Sequence, residues 1–225
     1  FYKHFNDYFN ETDRVMSAEE ATSLGYPGIV YDVNEDYINF DDSEVYGFEI
    51  DLQTNFNYLP SPFNGIVLNA NVSRLWSKTF LPLYFKVTKY DPALRRNVVD
   101  FENSYYEFKE TSLPDQTEWI SNLSVGYDYK GFSARVSMIY QSVYLRGLGS
   151  AGEASAQSEL TDRDTDAFLR FDASIAQKIG NNIRIMANFA NITAESESDY
   201  QYQPQYWRNE NRYGSTFDLG VRYEF

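Results

Sequence analysis

Asn122-Leu123-Ser124-Val125-Gly126-Tyr127-Asp128-Tyr129-Lys130-Gly131-Phe132-Ser133-Ala134-Arg135-Val136-Ser137-Met138-Ile139-Tyr140-Gln141 holds two alternating runs separated by two residues. Leu123, Val125, Tyr127 and Tyr129 alternate with small or polar neighbours, and Phe132, Ala134, Val136, Met138 and Tyr140 do so after Lys130-Gly131. A period of two sends successive side chains to opposite faces of an extended strand, so each run predicts a strand with one apolar side. The same period recurs outward from this pair. It covers Val45–Phe56 (apolar Tyr46, Phe48, Ile50, Leu52) and 66–73 (Ile66, Leu68, Ala70, Val72). It returns in 169–175 (Leu169, Phe171, Ala173, Ile175), 183–189 (Ile183, Ile185, Ala187, Phe189) and 217–225. With an aromatic start at Phe1–Phe9, the expectation is about eight strands. Each is near the roughly 9–11 residues that cross a bilayer as a tilted strand.

Connection lengths alternate as well. Those at 58–65, 130–131 and 180–182 are short, whereas 10–43, 77–118, 147–166 and 195–215 are long. Transmembrane barrels place short turns on the periplasmic side and long loops outside, whereas a soluble sandwich has no reason to sort them by end. The expected fold is therefore all-β, an antiparallel transmembrane β-barrel, with the first strand running outward and Phe225 at the periplasmic rim.

Composition points the same way. The chain has 225 residues with 20 Tyr and 17 Phe, yet its mean hydropathy is -0.53. That combination suits a lipid-facing outside, aromatic girdles and a wet interior better than an ordinary soluble core. No run approaches the roughly 18 apolar residues of a membrane-spanning helix, so a membrane protein of this sequence must cross as paired strands. The net charge of -14 disfavours nucleic acid, whose binding needs clustered Lys and Arg. Cysteine is absent, which excludes disulfides, thiolate metal sites and cysteine nucleophiles. His4 is the single histidine, which leaves little from which to build a triad or a His-rich metal site. The chain opens inside an aromatic segment without Met or a signal peptide, and we expect that edge to be a cut and not a natural start.

Several segments resemble the C-terminal barrel of TonB-dependent receptors. Glu44-Val45-Tyr46-Gly47-Phe48-Glu49-Ile50 is similar to the family's entry into a downward strand, with Tyr58-Leu59-Pro60 in the following turn. Leu113-Pro114-Asp115-Gln116 resembles its Leu-Pro-Gly-Gln, with Asp115 in place of Gly. Lys130 to Arg135 is similar to its tight hairpin, while Phe171-Asp172-Ala173-Ser174, 183–189 and Asn191-Ile192-Thr193 resemble its last hairpin but one. The end from Tyr213 to Phe225 is similar to the family's terminus. The resemblance implies that residues 1–225 are the C-terminal segment of a barrel of about 22 strands, with the plug domain and TonB box absent. It further implies an outer-membrane location in a Gram-negative bacterium and uptake of a scarce nutrient (siderophore, vitamin, saccharide or peptide). The implied partners are the lipid bilayer, the TonB complex through the missing N-terminal part, and a surface lipoprotein over the barrel. The barrel-assembly machinery is another, reading Phe217, Leu219, Val221, Tyr223 and Phe225 as an assembly signal. An alternating strand with a terminal aromatic can add to an open edge; the same residues can also simply face lipid. No cofactor and no catalysis is implied.

Glu49, Asp51, Arg135, Arg170, Asp172, Arg184, Asp218 and Arg222 form a lumen-facing polar set of mixed sign. Contact with a plug is preferred over plain solvation of the wall or an open pore. Tyr84, Tyr90, Arg95, Arg96 and Tyr105 in one long connection, with Tyr206, Trp207 and Arg208 in another, offer aromatic and guanidinium groups for ligand capture. The plainer account is that these loops extend the strands and stack on one another. Asp32-Val33-Asn34-Glu35-Asp36 has calcium-loop spacing but then Tyr37 instead of Gly, and reads as a solvated acidic loop. Asp162-Arg163-Asp164-Thr165-Asp166 reads likewise, with mutual charge pairing at the rim. Four Asn-x-Ser/Thr sequons, at Asn10, Asn71, Asn122 and Asn191, are taken as coincidence. Rivals from other classes are a complete eight-stranded barrel with a structural or adhesive role, an outer-membrane enzyme, and a soluble carbohydrate-binding sandwich.

Overall fold

A computed structural model describes residues 1–7, 9–26, 28, 31–39, 42–85, 87–100, 102–149, 162–223 and 225. In chain order its strands begin with β1 (Tyr2–Phe5), β2 (Phe9–Met16), β3 (Tyr31–Asn39), β4 (Ser43–Asn55) and β5 (Ile66–Phe85). Next come β6 (Thr88–Asp91), β7 (Arg96–Val99), β8 (Tyr105–Thr111), β9 (Trp119–Tyr129), β10 (Phe132–Gln141) and β11 (Tyr144–Gly147). The last are β12 (Arg163–Thr165), β13 (Phe168–Ile179), β14 (Ile183–Ala190), β15 (Ser196–Gln201), β16 (Gln203–Arg212) and β17 (Thr216–Tyr223). Among the described residues the only α-helix is α1 (Ala18–Ser23), started where the Ser17 hydroxyl accepts from Glu20 N at 3.1 Å. The all-β, antiparallel class is thus as expected.

The chain divides into two compact units. One comprises Gly47–Leu75, Thr117–Tyr144 and Thr165–Phe225. It contains a sheet in the order β4-β5-β9-β10-β13-β14-β17, every neighbour following in sequence. The quoted hairpin has the register its alternation demands: Tyr129 faces Phe132, Tyr127 faces Ala134, and Val125 faces Val136. Lys130 (φ 48°) and Gly131 (φ 84°) both take positive φ, the backbone of a two-residue turn whose twist matches its strands. The β15–β16 hairpin also lies in this unit.

The other unit comprises Phe1–Tyr46, Trp76–Gln116 and Leu145–Asp164. Here β1 pairs with the start of β4, β2 with β3, β6 with β7, and β8 with the second half of β5. Leu81, Leu83, Phe85 and Val45 are buried, and the buried Ser43 and Thr79 hydroxyls lie 2.7 Å apart.

Three expectations change. Residues 77–118 are not a loop: β5 runs on to Phe85, and β8 pairs with it from Thr79 to Phe85. The connections 10–43 and 195–215 likewise hold the hairpins β2–β3 and β15–β16. The aromatic start is split, with β1 covering only Tyr2–Phe5. The path of the principal sheet from β1 to β17 takes in eight strands, with β8 paired to β5 off that path, and among the described residues no ladder joins the two end strands.

Candidate functional site

The unusual feature of the principal sheet is its apolar face. Register assembles the alternating residues into continuous cross-strand rows. Leu68, Val125, Val136, Ala173, Phe189 and Phe217 make one. Ile66, Tyr127, Ala134, Ile175, Ala187 and Leu219 make the next. Much of these rows lies bare instead of packed under a second layer: Val136 is 52 % exposed, Phe217 57 % and Leu219 68 %. Aromatic rings mark both borders. Toward the short turns stand Tyr127, Tyr129, Phe132, Tyr223 and Phe225, with Tyr223 and Phe225 centroids 5.1 Å apart. At the opposite border Phe48 meets Trp119 edge to face, Phe189 lies 4.8 Å from Phe217, and the Arg74 guanidinium sits 4.8 Å over Trp119.

The other face is polar. Arg135 pairs with Asp128 on the neighbouring strand and also donates to Ala134 O at 2.9 Å. Gly126, directly opposite Arg135, makes this possible: a Cβ there would run into the Arg135 side chain. Arg170 Nε donates to Asp172 Oδ1 at 2.9 Å, and Glu49 accepts from Asn71 Nδ2 at 2.7 Å. Arg135, Ser174, Asn188 and Asp218 share one row, and Lys178, Arg184 and Arg222 another. The structure therefore brings the expected polar set onto one face, although its members pair locally and do not converge on one point. Asp51 is exposed on β4.

The aromatic ligand candidates do not form one site. Tyr90 is exposed on β6, Arg95 occupies the β6–β7 turn at φ 51°, and Arg96 is opposite Asp91. Tyr105 stacks on Phe85, centroids 5.1 Å apart, so it belongs to the framework of its hairpin. The Tyr84 side chain lies outside the described residues. Tyr206, Trp207 and Arg208 are consecutive and exposed on β16, hence divided between its two faces. The plainer account, strand extension with stacking, fits β5, β8 and Tyr105 well.

The acidic loops resolve into pairs. Lys109 Nζ meets Asp162 Oδ2 at 2.8 Å, and Thr165 donates to Asp199 at 2.8 Å. Burial pushes the Asp164 carboxyl above the usual carboxylate range; Asp162 adds to this and Lys109 opposes it. Asp100 is the reverse case. The amide of Asn103 at 2.8 Å, with Lys89 at 3.3 Å, holds its carboxyl below that range despite burial. His4 Nε2 lies 3.0 Å from Asp42. Side chains of residues 32–36 lie outside the described residues, and among the described ones no three His, Cys, Asp or Glu are grouped to hold a metal ion.

Sequence reading passed over Asn191, treated as a chance sequon. It is 6 % exposed at φ 53°, where Asn is one of the few residues readily accommodated. Its amide donates to Glu195 O at 2.9 Å and Gly214 O at 3.0 Å, and accepts from Glu195 N at 2.9 Å. Asp172 accepts from its backbone N at 2.7 Å. One residue thus ties both feet of the β15–β16 hairpin to the sheet. The only sequence cue was an Asn just after an alternating run. No protein-family model matches the chain, nor does any curated protein or solved structure.

Proposed function

We propose that this chain forms part of the wall of an outer-membrane β-barrel belonging to a TonB-dependent receptor, which admits a scarce nutrient past a plug. The observation that carries the membrane reading is the bare apolar face bounded by aromatic rings. From Trp119 to Tyr129 there are ten strand steps, roughly 33 Å at about 3.3 Å each. A tilt of about 40° reduces this to about 25 Å, the height of a barrel's apolar band. A soluble sandwich needs a second layer over such a face, because water contact with rows of Val, Ile, Leu and Phe is unfavourable. Arg74, where the band ends on β5, sets its guanidinium at Trp119, an arrangement suited to an interface.

Receptor identity is supported by the ordered family-like segments and by the charged pairs on the polar face, which suit a filled lumen. The long hairpins suit extracellular positions, β6–β7 carrying Tyr90 and Arg96 in one unit and β16 carrying Tyr206 and Trp207 in the other, each available to a ligand or a surface lipoprotein. Assembly would proceed through β17, whose outer residues Phe217, Leu219 and Val221 are all exposed. A second reading, a complete eight-stranded barrel, is favoured by the eight consecutive strands of the sheet; it requires β1 to pair with β17. Intact mass of the natural polypeptide from detergent-extracted outer membranes, with sequencing upstream of Phe1, separates the two. A chain several times larger with plug-like sequence ahead supports the receptor. A mature mass near 26.2 kDa removes the transport claim.

A further inference from the structure

The β15–β16 hairpin ends in a stretch unlike the rest of the chain. From Tyr200 to Trp207 the sequence reads Tyr-Gln-Tyr-Gln-Pro-Gln-Tyr-Trp. It holds rings, amides and one proline but no charge, although 23 % of all residues are charged. The flanking charges, Asp199 and Arg208, are opposite in sign. The hairpin leaves the principal sheet just beyond the Ala190–Thr216 pair, with Asn191 tying both its feet. Five strand steps from Ser196 reach Gln201, roughly 17 Å at about 3.3 Å each.

The ladder breaks on both sides of Trp207. Asp199 faces Asn209 and Tyr200 faces Trp207, which leaves Arg208 without a β15 partner. Gln201 then faces Gln203, which leaves 204–206 without one. A bulge gives up ladder hydrogen bonds and re-aims the side chains beside it, so two of them single out the residue between. Trp207 is 65 % exposed, and Tyr202 and Tyr206 are exposed with it. Among the described residues none of these three rings stacks on another ring. Gln205 Nε2 donates to Gln203 Oε1, which holds the two amides together. Among the described residues the Gln203 amino group and the Gln205 carbonyl keep their capacity for a ligand.

We infer that this hairpin end binds an uncharged saccharide, with Trp207 as the platform for a pyranose ring and Gln203 and Gln205 bonded to its hydroxyls. A pyranose turns a flat patch of weakly positive C–H groups to the negative face of an indole. Its hydroxyls both donate and accept, as amides do, whereas a carboxylate only accepts and an ammonium only donates. An anionic ligand would meet a single arginine here, in a chain of net charge -14. A purely apolar ligand would cover the amides without pairing them, which is costly. The inference rests on the receptor reading for its role in uptake, and it narrows the nutrient to a neutral sugar.

The test applies the natural polypeptide in detergent micelles to a panel of neutral, uronic-acid and sulfated oligosaccharides and uncharged peptides. Calorimetry then gives the affinity for the neutral oligosaccharide that binds best. Binding should be confined to neutral sugars. Trp207→Ala should weaken it at least about tenfold and Gln205→Ala roughly fivefold, while Trp207→Phe, which keeps a flat ring, loses only about threefold. All three positions are exposed, and heat-dependent gel mobility checks that the variants fold. Failure of every neutral sugar to bind, preference for acidic sugars or peptides, or parental affinity in Trp207→Ala overturns the inference. A polypeptide that stays monomeric without detergent yet binds the neutral sugar through Trp207 removes the receptor reading while the sugar site stands, so the two failures are distinct.

Discussion

Val221→Arg separates the membrane reading from every soluble alternative. Val221 stands on the apolar face of β17 opposite Ile185, four residues from Phe217 and two from Tyr223, so along its own strand it lies between aromatic side chains. Its side chain is 69 % exposed. On a surface bathed by water an arginine there is nearly neutral, within about 0.5 kcal/mol. At the midplane of a bilayer it costs about 2–4 kcal/mol, a factor of roughly 30 to 1,000 in the folding equilibrium. The adjacent residue provides the control. Gly220 is on the polar face, and a Cβ there makes only an ordinary 3.6 Å contact with Met186 Cε, so Gly220→Lys adds the same charge away from lipid. Urea titration in detergent micelles, followed by heat-dependent gel mobility, should show Val221→Arg folding at markedly lower urea while Gly220→Lys stays near the parent. Equal folding and insertion of the two variants would refute both the facing assignment and the membrane argument built on it.

Other residues give sharper local tests. Asn191→Ala removes three side-chain hydrogen bonds and leaves a Cβ residue without compensation at φ 53°; a cost of about 3 kcal/mol is expected. Amide exchange should accelerate across 192–215, and unchanged protection there would show that the hairpin does not depend on it. Gly126→Ala should displace the flexible end of Arg135 from Asp128 at a cost below about 1 kcal/mol, because the pair is partly exposed. In an Arg135→Ala background the same change should do nothing further, and an additive double-mutant cycle would contradict the coupling. Asp100 predicts an acid-labile hairpin. Its native carboxyl titrates below the usual range, so its contribution is present at neutral pH and is lost as pH falls through that depressed value. Exchange of residues 87–104 should rise on acidification in the parent and much less in Asp100→Asn; identical acid profiles would exclude this origin.

The portion of the molecule legible in sequence is the portion governed by the two-residue period. Alternation placed β9, β10, β13, β14 and β17 and sorted their side chains onto two faces, because successive Cβ atoms on a strand point to opposite sides. The two residues Lys130-Gly131 left no room for a different register in the quoted hairpin. The long connections look like loops in the sequence because β8, β15 and β16 mix aromatic with charged residues on both faces, as in Tyr105-Tyr106-Glu107-Phe108-Lys109. Their pairing is held by backbone hydrogen bonds, which do not leave a hydropathy signature. Nor does spacing disclose which side chains meet across strands. Arg184 and Arg222 are 38 positions apart, and only the register of β14 on β17 sets them side by side with Lys178. Asn191 likewise joins Gly214 only through the geometry of the closed hairpin. From sequence alone came strand, face and polarity, which are local properties of a backbone with period two. Tertiary structure decided the cation row, the Asn191 tie and the absence of any layer over the apolar face among the described residues, since each depends on which distant strands become neighbours.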